Sequence, residues 1–177
     1  LGEQQTPLPG LLHKYRSRVL LMVRTGCAVN CRYCFRRHFP YQDNSPGKGD
    51  WPQIADYIRQ HPELNEVIFS GGDPLMANDQ QLIPLIELLS DIPHLTRLRI
   101  HTRLPVVLPN RITDELVGAL ANSRLQVVLV SHINHANEID DSVVAAMAKL
   151  REEGITLLNQ AVLLKDVNDS VAAQAEL

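Results

Sequence analysis

The chain has 177 residues, 45% hydrophobic and 21% charged, with a formal net charge of −3 at pH 7. That length and balance support one domain with its own core and exclude a mainly disordered chain. No apolar run reaches the roughly 18 residues of a membrane span, and no charged start followed by an apolar stretch marks a secretory leader. The charge is unevenly spread. From Gln4 to Gln42 there is no Asp or Glu, while Lys14, Arg16, Arg18, Arg24, Arg32, Arg36 and Arg37 all fall there. The same window holds every cysteine and a strand-like apolar run, so it reads as a buried site for small anions rather than a nucleic-acid surface.

Residues 1–16, with Pro7, Pro9 and Gly10, read as an irregular lead-in. A strand is expected over Val19–Val23. A helix follows over Trp51–Gln60, with Ile54, Ala55 and Ile58 on one face and Pro52 near its start. The second strand is Glu66–Ser70, closed by Gly71-Gly72. Asn78 and Gln81 have capping-box spacing ahead of Leu82, Leu85, Ile86 and Leu89. Leu98–Thr102 is the third strand. Thr113 caps a helix carrying Leu116, Val117 and Leu120. Leu125–Val130 is the fourth strand. Ser142 opens a helix that Gly154 stops, and Thr156–Leu164 is the fifth strand. Strands alternating with helices about every 30 residues define an α/β fold, either a doubly wound sheet or part of a (β/α) barrel.

In both architectures ligands gather at the carboxyl ends of the strands. The polar residues cluster there: Cys27 after the first strand, Gly71-Gly72-Asp73 after the second, and His101 and Arg103 around the third. His132, Asn134 and His135 follow the fourth, with Asp166 and Asp169 after the fifth. His61 and His94 each adjoin a proline and read as surface residues.

The three cysteines are Cys27, Cys31 and Cys34. A tight, odd-numbered cluster does not suit disulfides and points to a reducing cytoplasm. Thiolates are soft ligands for zinc or iron–sulfur clusters. Zinc would need a fourth ligand, for which His13 or His38 is available. Three cysteines on one loop can instead hold three irons of a 4Fe–4S cluster and leave the fourth open.

Cys-x3-Cys-x2-Cys with Tyr33 before the last cysteine resembles the radical S-adenosylmethionine signature. Ser70-Gly71-Gly72-Asp73-Pro74-Leu75 fits its second motif, in which glycines let backbone approach a ligand. The stretches Pro9–Tyr15, Cys34–Tyr41, Gly71–Leu75, Thr102–Val107, His132–Glu138 and Gln160–Asp169 together resemble the lysine 2,3-aminomutase family. Cys31-Arg32-Tyr33-Cys34-Phe35-Arg36-Arg37-His38 looks most like the branch that acts in elongation factor P β-lysylation.

The resemblance implies a radical-SAM (β/α)6 barrel with about five of six units across residues 1–177. It implies three cofactors: a 4Fe–4S cluster on Cys27, Cys31 and Cys34, S-adenosyl-L-methionine, and pyridoxal 5′-phosphate. The reaction is conversion of (S)-α-lysine to (R)-β-lysine, functionally linked to elongation factor P and its lysyl-ligase. Free-lysine metabolism, or another amino acid, is the rival within the family. A zinc-stabilised non-catalytic module is the rival outside it. Gly71, Gly72, Asp73, Arg103, His132 and Asn134 are then expected in the S-adenosylmethionine site or its pocket, with Lys14 and Arg18 near pyridoxal phosphate. Arg36 is expected on the substrate carboxylate and Asp169 on its distal ammonium. The family's imine-forming lysine lies in a carboxyl-terminal segment whose Gly-rich context neither Lys149 nor Lys165 matches. No nucleic acid or membrane partner is expected, and homo-oligomers are compatible with this reading.

Overall fold

The computed structural model describes residues 5–34 and 47–177. Its frame is a six-stranded sheet in the order β1-β2-β3-β4-β5-β6. The strands are β1 (Leu11–Tyr15), β2 (Arg18–Arg24), β3 (Glu66–Gly71), β4 (Arg97–Thr102), β5 (Gln126–Ser131) and β6 (Thr156–Asn159). β2 through β6 run parallel, and β1 lies antiparallel against β2. The expected irregular lead-in is therefore partly a strand. Leu11 is fully buried, and a tight hairpin through Arg16-Ser17 sets Tyr15 opposite Arg18.

The helices are α1 (Trp51–Arg59), α2 (Asp79–Ser90), α3 (Leu104–Val107), α4 (Asp114–Ala121), α5 (Asp141–Glu152) and α6 (Val171–Glu176). Two boundaries differ from expectation. Asp140, not Ser142, caps α5, because its Oδ1 accepts from the Ser142 and Val143 amides at 2.9 Å each. β6 stops at Asn159 instead of Leu164. The Asn159 side chain takes over from the ladder, accepting from Ile133 N and donating to Ile133 O, both at 3.0 Å.

Because each parallel strand is added on the same side of the last, right-handed crossovers put the main helices on one face. Side chains alternate along each strand. Val19, Leu21, Val67, Phe69, Leu98, Ile100, Val127 and Leu129 join Ile54, Ile58, Leu82, Leu85, Leu116 and Leu150 in the core. The opposite set lines the helix-free face in layers: Arg18, Glu66, Arg97 and Gln126, then Leu20, Ile68, Arg99 and Val128. Met22 and Ser70 form part of the layer nearest the strands' carboxyl ends.

Glu66, 3% exposed, anchors the amino end of that face. Arg99 Nε donates to its carboxylate at 3.0 Å, and Arg18 and Arg97 each lie 3.9 Å away. Among the described residues no helix is long and apolar enough to cross a membrane.

Candidate active site

The site is built where β2 ends. Past Arg24 the chain does not leave the sheet at once, because β3's exit holds it. The Gly72 amide donates to Arg24 O at 2.7 Å and the Asp73 amide to Gly26 O at 2.9 Å. This close approach explains the glycine pair. Gly71 has φ +115°, and a Cβ on it would stand 2.5 Å from Arg24 O. A Cβ on Gly72 would stand 2.4 Å from Gly26 O and 2.6 Å from Thr25 C and O. The backbone that these glycines admit is the root of the cysteine loop itself, an approach that the motif alone assigns to a ligand.

All three thiols are free; Cys27 is exposed, and Cys31 and Cys34 are half-buried. The Cys34 amide donates to Cys31 O at 3.1 Å, closing a turn. The Cys27 thiol is pushed up to about 11, first by partial burial of the sulfur and then by the nearby Asp73, Cys34 and Cys31 charges. The cysteines therefore share one electrostatic neighbourhood. Among the described residues, however, no three His, Cys, Asp or Glu side chains converge on a metal position. His13 is at the wrong end for a fourth zinc ligand. It lies on β1, its Nδ1 2.7 Å from the Tyr57 hydroxyl, with its ring edge-on to His61. His38 lies outside the described residues.

Tyr33, between the last two cysteines, is tied to two distant strand exits. Arg103 Nη1, just past β4, donates to its hydroxyl, and so does Asn134 Nδ2, past β5, at 2.6 Å. Burial raises the Tyr33 phenol above its ordinary value. The Asn134 hydrogen bond lowers it, and a hydrogen bond with Cys31 raises it. Arg103 also pairs with Glu138. Glu138 Oε1 accepts from the Asn134 and His135 amides at 2.8 and 3.1 Å. Asn134 Oδ1 accepts from Val162 N at 2.8 Å, and Asn134 O accepts from the fully buried Asn168 at 2.7 Å. The cysteine loop is thus linked to the exits of β4, β5 and β6.

Asp73, 6% exposed, links β3 to β4. Its Oδ1 accepts from Leu75 N at 3.0 Å and Thr102 Oγ1 at 2.6 Å, and its Oδ2 from the Arg103 amide at 2.8 Å. His132 stands beyond β5, its ring 5.8 Å from that of His101.

The structure thus gathers Cys27, Cys31, Cys34, Gly71, Gly72, Asp73, Arg103, His132 and Asn134 at one end. Asp169 is exposed beyond β6. Lys14 and Arg18 flank the β1–β2 hairpin at the other end, roughly 20 Å along β2 at about 3.3 Å per residue. Arg18 nonetheless occupies the helix-free face, and its Nε is a buried donor without a partner. Lys149 pairs with Asp114 at 2.7 Å. Arg36 lies outside the described residues. His61 and His94 are half-buried rather than simply exposed, with bonds to Tyr57 O at 2.7 Å and Ile58 O at 3.0 Å.

Sequence reasoning named Tyr33 only as an aromatic and gave Thr102, Glu138 and Asn168 no role. Thr102 ends β4, and the sequence marks Glu138 and Asn168 only as members of the family-like stretches His132–Glu138 and Gln160–Asp169.

Residues 21–175 match the model of the Radical SAM superfamily. The chain is 60% identical over 177 residues to L-lysine 2,3-aminomutase of Escherichia coli (strain K12), covering all of this chain and 52% of that protein. It is 43% identical over 176 residues to L-lysine 2,3-aminomutase of Clostridium subterminale, covering 99% of this chain and 42% of that protein. The chain therefore spans about half the length of the curated relatives it matches. Among solved structures, anSMEcpe with bound AdoMet matches with a TM-score of 0.66 at 15% identity, over 89% of this chain and 46% of that one. That likeness establishes the shared fold.

Proposed function

We propose, for a chain that belongs to the radical SAM superfamily, the chemistry of a lysine 2,3-aminomutase, with Cys27, Cys31 and Cys34 each attached to one iron of a 4Fe–4S cluster. The observation that carries this reading is the 60% identity to a lysine 2,3-aminomutase along the whole chain, with all three thiols free on one loop at the strands' carboxyl ends. The donor set suits the cluster: three soft sulfurs from one loop, with no disulfide to break. When bound, the cluster and S-adenosylmethionine supply a 5′-deoxyadenosyl radical, and pyridoxal phosphate carries the migrating amino group.

The protein's part is positioning. Gly71 and Gly72 seat the loop root against β3. Asp73, Arg103 and Asn134 have their polar groups engaged with backbone, Thr102 or Tyr33, so they act by holding the loop. His132 remains a candidate for ligand contact. The unpartnered Arg18 Nε fits an oxygen of the pyridoxal phosphate, with Lys14 nearby in sequence. Arg36 is assigned to the substrate α-carboxylate, for which a planar guanidinium offers a forked contact. Asp169 is assigned to the distal ammonium. The reducing cytoplasm, where thiols stay free, is the fitting compartment.

The finer reading is that the product, (R)-β-lysine, serves elongation factor P and its lysyl-ligase. It rests on Arg32-Tyr33 between the cysteines and Arg36-Arg37-His38 after them. Anaerobic reconstitution with iron and sulfide tests the core proposal. About four irons per chain, formation of 5′-deoxyadenosine, and conversion of lysine to β-lysine by the full gene product are expected. Tightly bound zinc with no cluster would overturn it. Loss of β-lysylated elongation factor P on gene deletion, restored by fed (R)-β-lysine, separates the finer reading from free-lysine metabolism.

A further inference from the structure

Four side chains from four neighbouring strands stand in one row at the amino end of the helix-free face. The register sets Arg18 opposite Glu66, Glu66 opposite Arg97 and Arg97 opposite Gln126. Arg99, two residues along β4 from Arg97, projects from the same face. Three guanidiniums therefore surround one carboxylate and leave an excess of two positive charges.

The three do not share the carboxylate equally. Arg99 donates to Glu66 Oε1 through Nε at 3.0 Å and Nη2 at 2.5 Å, and the two close on each other as a neutral pair. Arg18 Nη1 stands 3.9 Å from Oε2 and Arg97 Nη1 stands 3.9 Å from Oε1, both beyond hydrogen-bond length. Each of these guanidiniums keeps donors in hand. Arg97 gives one N–H to Gln126 Oε1 at 3.3 Å. Arg18 lies over the Tyr15 ring, 5.3 Å from its centroid, and its Nε is buried without an acceptor. Two surplus, half-exposed cations thus flank the closed pair from either side, and an anion on this face meets both.

We propose that Arg97, together with Arg18, binds the phosphate of pyridoxal phosphate across the Glu66–Arg99 pair. A phosphate monoester carries about −1.5 to −2 charge at pH 7 and offers three acceptor oxygens. That charge matches the two surplus guanidiniums, whose forked donors suit such oxygens. Glu66 is then a spacer: it holds Arg18 and Arg97 on either side of itself while Arg99 cancels its own charge.

This inference rests on the assignment of Arg18 to pyridoxal phosphate. Its test is a titration of the full gene product with pyridoxal phosphate and with pyridoxal, which lacks the phosphate, followed by absorbance. Arg97→Gln should weaken pyridoxal phosphate binding about tenfold, as loss of a charge-assisted bond does, and leave pyridoxal binding unchanged. Arg18→Gln should do the same, and Arg97→Lys, which keeps the charge, should recover part of the loss. Inorganic phosphate should compete with pyridoxal phosphate less well in Arg97→Gln than in the unaltered protein. An Arg97→Gln protein that keeps its affinity for pyridoxal phosphate, or loses affinity for both ligands equally, would overturn the Arg97 contact alone. An unaltered protein that binds pyridoxal phosphate no more tightly than pyridoxal would overturn the cofactor assignment, and this inference with it.

Discussion

Gly72 and Gly26 meet backbone to backbone: a Cβ on Gly72 would lie 2.4 Å from the Gly26 carbonyl oxygen, and the neighbouring Asp73 amide donates to that same oxygen. A strand exit and the root of a ligand loop are here one packed unit. Gly72→Ala should therefore push the loop away from β3, costing about 1–3 kcal/mol as an overpacked contact. Reconstituted iron per chain should fall with it. Gly118, in α4, has nothing within 4 Å of its Cβ position. Gly118→Ala should leave iron loading intact and raise stability by up to about 1 kcal/mol. Iron content and thermal unfolding of the two variants check the pair.

Asp73→Asn should be costly despite its small change in size. One carboxylate oxygen receives Leu75 N and Thr102 Oγ1, and the other receives Arg103 N. An amide must turn its NH2 toward one of these donors and leave it unsatisfied, at about 1–3 kcal/mol. Faster hydrogen exchange at the Leu75 or Arg103 amide is the expected signature.

Glu66→Gln tests the opposite end of the sheet. Removing the buried charge leaves Arg18, Arg97 and Arg99 facing a neutral group, with a loss of roughly 3 kcal/mol. The melting temperature should drop while S-adenosylmethionine cleavage per assembled cluster stays unchanged, because the cysteine loop is at the far end.

The thiol of Cys27 gives a pH prediction for the cluster-free protein. Its value rises from an ordinary 9.0 to about 11 in the folded chain. At pH 8 its alkylation by iodoacetamide should be about 100-fold slower than in urea, following the thiolate fraction. Since the unfolded thiol gives up its proton first, folding stability falls as pH rises from 9 toward 11. Asp73→Asn removes one of the charges that raise the thiol, so alkylation of the folded variant should quicken.

The parallel strands and most helices were legible because periodicity and capping act locally: Thr113 caps α4 through Leu116 N at 3.1 Å, as its spacing implied. β1 was not legible, since Leu11–Tyr15 becomes a strand by pairing with β2 rather than by its own alternation. The cysteines and glycines were found by spacing. The clamp on Tyr33 was hidden, because its partners stand 70 and 101 residues away and meet only when the strands align. Asp73 was found for its motif, and the structure supplies its work: holding Thr102 and Arg103 instead of pointing outward.

The strand order has a consequence for biogenesis. Every strand pairs with the one made just before it, so the sheet can grow in the direction of translation without waiting for a distant partner. The cysteine loop emerges after β2 and is rooted as soon as β3 arrives. The ties to Arg103 and Asn134 come only with the exits of β4 and β5. The cysteine loop is therefore rooted by its neighbour in the sheet first and tethered by the more distant strand exits last.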